Sequence, residues 1–190
     1  TYNGAAIFNS DYETNGSAFL VNGSTTLAND TSVNTSGGTI DFNGTVNGNQ
    51  SLTLNSTTGA ITFNNSVGNS IALVDIVLNN SGGVTFKNTV NASNLNLNAV
   101  SSGTVALQGN TSLTTALTTG AAAYNVSFTG TSNSIAGATI FNNTGTLTLG
   151  NETTDAITFS GGVTATTPSA INIAGTINTT NSTLKLGATN

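Results

Sequence analysis

The side chains able to do acid–base or metal chemistry in this sequence are two lysines and seven acids, and histidine and cysteine are absent. That removes imidazole catalysis, thiolate nucleophiles, disulfides and every Cys/His zinc arrangement. The close acidic pairs are Asp11 with Glu13 and Glu152 with Asp155. They are the calcium candidates, because calcium takes about six to eight oxygens and backbone or asparagine carbonyls could supplement a carboxylate. Two acids are a sparse start, and solvated turn acids are the simpler expectation for all four. Polysaccharide cleavage would need clustered carboxylates with a basic partner to move a proton or stabilise charge. Lys87 and Lys185 lie far apart and outside any acidic context. The expectation is a protein that is not an enzyme and carries no cofactor.

The charge balance narrows the partners. Only 5% of residues are charged and the net charge is −5, so duplex binding through neutralised phosphates is not expected. Membrane insertion is not expected either, since the longest apolar patch, Ile71 to Leu78, is interrupted by Asp75 and falls short of the ~20 residues a spanning helix needs. No basic start and apolar run marks a signal peptide, so Thr1 reads as the start of a mature or cut chain. Close to half the residues are Ser, Thr or Asn and 22 more are Gly, which suits a neutral, hydrated surface on a secreted, extracellular chain. Sequons such as Asn22-Gly23-Ser24, Asn64-Asn65-Ser66, Asn110-Thr111-Ser112 and Asn151-Glu152-Thr153 follow largely from that composition.

The same composition would suit a disordered linker, and the arrangement of apolar residues decides against it. They fall in alternating triplets, among them Ile40-Asp41-Phe42, Leu52-Thr53-Leu54, Ile61-Thr62-Phe63, Val84-Thr85-Phe86, Val126-Ser127-Phe128 and Leu147-Thr148-Leu149. Period two means half-buried strands, and the Asn-Gly, Gly-Gly and Ser-Gly pairs between them supply turns. Helix is disfavoured by the abundance of Thr, Asn and Gly. The segment Ser112 to Val126 comes nearest to a helical pattern and is expected to be a loop or distorted coil.

The triplets recur. Phe42-Asn43-Gly44-Thr45-Val46 returns as Phe63-Asn64-Asn65-Ser66-Val67, as Phe86-Lys87-Asn88-Thr89-Val90 and as Phe159-Ser160-Gly161-Gly162-Val163. Phe42, Phe63, Phe86, Leu107 and Phe128 lie 21 to 23 residues apart. The longer interval is assigned to extra residues after Val67, and a small insertion is expected around residues 129 to 146. A repeat of this length with two strong triplets predicts an all-β, right-handed parallel β-helix, each coil stacking on the next. The phenylalanines would form one inner column, Val46, Val67 and Val90 a second, and the leucine triplets an opposing wall. Asp41 should point outward. A β-sandwich is the alternative, since short strands every 8–12 residues are its signature as well.

Residues 1–190 read as one repetitive domain, a fragment or subunit of a longer fibre, with residues 1–16 a partial cap or a strand donated to another subunit. Few residues follow Leu184-Lys185-Leu186, so the C-terminal end is expected to be an open edge. Ice binding would need unbroken outward threonine ladders, and Thr53, Thr62, Thr85, Thr148 and Thr158 are interrupted by Asp41, Ala106 and Ser127.

The stretch Ser51 to Gly68, with Ser-Leu-Thr-Leu-Asn-Ser followed by Gly and Ile-Thr-Phe-Asn-Asn-Ser-Val-Gly, resembles the degenerate repeats of filamentous haemagglutinin-like adhesins and autotransporter passenger domains. The likeness spans about residues 37 to 165. It implies a bacterial surface protein with a β-helical stalk, used for adhesion, aggregation or display. The expected partner is a cell-surface glycan or protein, or the chain itself as a homopolymer in a filament or surface layer.

Overall fold

A computed structural model describes residues 1–187. The chain winds into a parallel β-solenoid of about nine coils. The first coil holds Tyr2, bridged to Val21, then β1 (Ala6–Phe8) and β2 (Tyr12–Glu13). The second and third hold β3 (Phe19–Val21), β4 (Thr25–Leu27), β5 (Thr31–Asn34), β6 (Ile40–Phe42), β7 (Val46–Asn47) and β8 (Leu52–Asn55). Next come β9 (Ala60–Phe63) and β10 (Leu73–Leu78), β11 (Gly83–Phe86) and β12 (Val90–Leu97), then β13 (Thr104–Leu107) and β14 (Thr111–Thr119). The last three coils are β15 (Asn125–Phe128), β16 (Ser132–Ile135) and β17 (Thr139–Ile140); β18 (Thr146–Leu149), β19 (Ala156–Phe159) and β20 (Val163–Ala165); and β21 (Ala170–Ile173), β22 (Thr176–Thr179) and β23 (Leu184–Leu186).

Three faces result. The phenylalanine face is the eight-stranded sheet from β3 to β21. The valine face begins with β1, β4 and β7, continues through Val67 and Val90, and ends with β16, β19 and β22. The leucine face begins with β2, β5, β8 and β10 and ends with β17, β20 and β23. β12 and β14 bend round a corner and serve both faces, which joins them into one nine-stranded ladder. Every ladder among the described residues is parallel, so the two antiparallel sheets of the sandwich alternative do not occur.

The inner columns follow the sequence. Val21, Phe42, Phe63, Phe86, Leu107, Phe128, Leu149 and Ile173 pair in register, at intervals of 21, 21, 23, 21, 21, 21 and 24 residues. Phe42, Phe63 and Phe86 stack with ring centroids 5.1 and 4.6 Å apart and planes within 6° and 4° of parallel. Coil spacing of ~4.8 Å imposes this on identical side chains in identical rotamers. Val46, Val67 and Val90 are fully buried, and Leu52, Leu54, Ile76, Leu78, Leu95 and Leu97 form the facing wall. Asp41 stands between inward Ile40 and Phe42 and accepts a hydrogen bond from Thr39 Oγ1 at 2.8 Å.

Three local expectations need correction or refinement. The segment Ser112 to Val126 is not a loop. Thr111–Thr119 is one nine-residue strand, because β-branched threonines fit an extended backbone and a register shift absorbs the corner between Leu113 and Ala116. The turn that follows is anchored by buried Tyr124, whose hydroxyl accepts from Gly120 N at 3.1 Å and donates to the Leu97 carbonyl at 3.3 Å. Burial raises the Tyr124 pKa above its ordinary value. Second, the insertion expected around residues 129 to 146 is a single residue and local: Ser112 pairs with Ser134 at an interval of 22, and the phase is recovered by Leu149, which pairs with Phe128 at the common 21. A larger insertion lies beyond, between Leu149 and Ile157. Third, Ile157-Thr158-Phe159 lies on the valine face opposite Asn133 to Ile135, and Leu147-Thr148-Leu149 on the phenylalanine face. A Phe and a Val four residues apart mark a corner, and the solenoid has more than one. The insertion after Val67 is where expected, in Gly68 to Ala72.

Residues 1–16 pair within the chain, β1 with β4 and β2 with β5. The expectation for the extreme C-terminus falls in part on residues 188–190, outside the described residues.

Two hydroxyls without partners, those of Thr25 and Thr111, interrupt the inner valine column. Thr111 occupies the inner column after Val46, Val67 and Val90, is 1% exposed, and its hydroxyl has no partner. A buried unpaired hydroxyl costs about 1–3 kcal/mol. Thr111→Val keeps the shape and the Thr111 N–H bond to Asn133 Oδ1, and should stabilise the protein by about 1 kcal/mol. In thermal unfolding this is a rise of about 2–4 °C, and an unchanged or lower midpoint would show that the hydroxyl is satisfied.

Candidate interaction surface

Alternation within each strand sends one residue per coil outward from the middle of the phenylalanine face: Leu20, Asp41, Thr62, Thr85, Ala106, Ser127, Thr148 and Asn172, in register. The leucine face presents Ser32, Thr53, Val77, Asn96 and Thr118 in the same way. Most are small, neutral and able both to donate and to accept hydrogen bonds.

One corner is organised further. The residue after each inner phenylalanine-face position is Asn22, Asn43 or Asn64, and these amides form a ladder along the rod. Asn22 donates to Asn3 at 2.6 Å, Asn43 to Asn22 at 2.7 Å and Asn64 to Asn43 at 2.7 Å. Lys87 ends the ladder, donating from Nζ to Asn64 Oδ1 at 2.7 Å, because an ammonium has no acceptor for the next coil. The 21-residue recurrence of Asn after the core position is visible in the sequence, but the pattern of apolar triplets does not point to it.

The calcium candidates divide between distant coils. Asp11 and Glu13 flank Tyr12 in the first coil and are exposed, and Asp11 Oδ1 accepts from Ser32 N at 3.0 Å. Asp30 does the same for Ser51 N at 2.8 Å. Asp155, in the eighth coil, is 2% exposed. Its Oδ2 accepts from Asn151 N at 2.9 Å and Glu152 N at 3.1 Å, so this carboxylate holds the inserted turn together. Glu152 is exposed. Among the described residues no three acids gather in one place. Asp75, between Ser51 Oγ at 3.0 Å and Asn94 Nδ2 at 2.7 Å, spans neighbouring coils of the leucine face.

The leucine face is split once. Where β14 meets β17, the Thr119 hydroxyl enters the ladder, donating to the Ile140 carbonyl at 2.9 Å and accepting from Asn142 N at 2.8 Å. The two strands are held a side chain apart. A groove of about 260 Å³ opens beside this wedge, lined by Asn98, Leu117, Thr118, Ala138, Ile140 and Asn142. Ile140 is exposed there, giving an apolar floor edged by amides and a hydroxyl. No protein-family model, no curated protein and no solved structure matches this chain.

Proposed function

We propose that the chain is a non-enzymatic structural or adhesive module of a secreted bacterial surface protein, of the kind its repeats resemble, that binds a cell-surface glycan or protein through its neutral flanks. The observation that carries this reading is the outward columns themselves: Thr, Ser and Asn repeated once per coil along rigid faces. Such a surface offers many equivalent weak hydrogen-bonding contacts, and a partner that repeats as well, such as a polysaccharide, gains affinity through multivalency.

A glycan array probed with the chain displayed on beads tests it. Single chains should bind weakly and multivalent display should raise apparent affinity about 10²-fold or more. With so few charges, binding should change little between low and high salt. Failure of the displayed chain to bind any glycan or cell surface, or robust turnover of a polysaccharide, would overturn the proposal.

A further inference from the structure

The groove beside the Thr119 wedge has no counterpart in the regular coils. β14 is laddered to β12 on one side and β17 to β20 on the other, and no ladder joins β14 to β17. The outward column that runs Ser32, Thr53, Val77, Asn96, Thr118 is broken there, and Ile140 stands 56% exposed across the gap. Ala138, two residues earlier on the same strand face, is exposed as well. Together they form a low apolar floor between hydrogen-bonding edges.

The edges are pinned from behind. Asn142 donates from its backbone N–H to Thr119 Oγ1 at 2.8 Å and from Nδ2 to the Thr119 carbonyl at 3.0 Å, which fixes the amide and leaves Oδ1 as an acceptor. Asn98 donates its N–H to Asn96 Oδ1 at 2.9 Å, and the carbonyl of the preceding Leu97 accepts from the buried Tyr124 hydroxyl at 3.3 Å. The Asn98 side chain and the Thr118 hydroxyl stay exposed on this anchored backbone. A rim that is ordered in advance loses little entropy when a ligand binds.

Three features select the ligand. No charged side chain lines the groove, so neither an anion nor a cation gains an ion pair there. Its polar groups are amides and a hydroxyl, which between them donate and accept and so match a ligand whose hydroxyls do both. Its volume of about 260 Å³ lies below the roughly 300–1,000 Å³ of pockets that hold drug-sized ligands, which gives room for one ring. A sugar ring has this make-up, with an apolar C–H face and hydroxyls around its edge.

We infer that this groove is a subsite for one neutral pyranose unit of a glycan, with the C–H face of the ring on Ile140 and Ala138 and its hydroxyls bonded to Asn98, Thr118 and Asn142 Oδ1. The inference rests on the glycan-binding reading above and gives it a location. A glycan lying along the leucine face makes weak repeated contacts with the outward column, and the groove fixes its position by seating one ring.

Amide NMR of the full chain, titrated with the methyl β-glycosides of glucose, galactose and N-acetylglucosamine, tests this. At least one sugar should give saturable shifts at residues 98, 117–119 and 138–142. Ile140→Ser and Asn98→Ala change exposed side chains, so both should fold, and each should weaken binding by about fivefold through loss of one apolar contact or one hydrogen bond. Ile71→Ser, which removes another exposed isoleucine from the Gly68 to Ala72 insertion, should leave binding unchanged. Methyl β-glucuronide carries a carboxylate in place of the glucoside CH2OH and should bind no tighter than the tightest neutral glycoside. No saturable shift at these residues with any of the three sugars, binding that ignores both Ile140→Ser and Asn98→Ala, or tighter binding of the glucuronide would overturn the inference. Glycan capture by the bead-displayed chain is a separate readout. Capture that Ile140→Ser leaves undiminished overturns the groove and spares the adhesive reading, whereas saturable groove binding by a chain whose beads capture no glycan or cell surface overturns the adhesive reading alone.

Discussion

Phe63→Asp is expected to destabilise the solenoid by about 5 kcal/mol or more, combining the loss of a buried ring with an unpaired carboxylate in an apolar column. Phe63 is 1% exposed and lies between the rings of Phe42 and Phe86. The nearest cation along the chain, Lys87, is committed to Asn64 at the surface. Such a loss is comparable to the whole stability of a typical domain, about 5–15 kcal/mol. Thr85→Asp is the control. Thr85 stands one residue from the same column but points outward between Thr62 and Ala106, so the change should stay within about 0.5 kcal/mol. Thr62→Asp serves less well, because Asp41 is its ladder partner and like charges directly opposite repel. Chemical denaturation of the two variants decides the matter, and equal losses would mean that the phenylalanine column is not the core.

The fold was legible because the solenoid repeats its constraints. Val46, Val67 and Val90, or Phe42, Phe63 and Phe86, each report one inner position several times over, and the agreement fixes coil length and strand phase together. Legibility failed where a coil departs from its neighbours. The residues added between Leu149 and Ile157 shift the phase by one face, and Phe159 and Val163 then mimic a corner that lies elsewhere. The role of Asp155 depends on how that inserted turn folds back on its own carboxylate, and no periodicity encodes it. The wedge at Thr119 is hidden for a related reason: its side chain does the work of a backbone ladder, in a strand where five of the nine residues are threonine. The asparagine ladder was open to reading, since Asn22, Asn43 and Asn64 keep the interval of the core residues that precede them.

Gly59→Ala should be strongly damaging for a single added methyl, at about 3 kcal/mol or more. A Cβ placed there collides with the carbonyl of Gly38 in the preceding coil, which in turn meets Ser17 if given a Cβ of its own. The crowding comes from the corner turns. Thr35 and Ser56 occupy equivalent places, their hydroxyls donating to the carbonyls of Gly38 and Gly59, so successive corners nest backbone on backbone. Neither backbone atom can move without pulling apart the adjoining ladder, where Ile40 pairs with Ile61 one coil on. Gly16→Ala isolates the other cost a glycine can carry. Its φ is +92° and nothing lies within 4 Å of the added methyl, so only backbone strain of about 1–2 kcal/mol opposes it. Unfolding of the two variants side by side therefore separates steric packing between coils from conformational strain within one. Gly59→Ala should lose at least 1 kcal/mol more than Gly16→Ala, about a fivefold difference in the unfolding constant or more, and its damage should reach amides in both neighbouring coils on hydrogen exchange. A smaller loss in Gly59→Ala than in Gly16→Ala would mean that the coils are spaced more loosely at this corner than the strand ladders require.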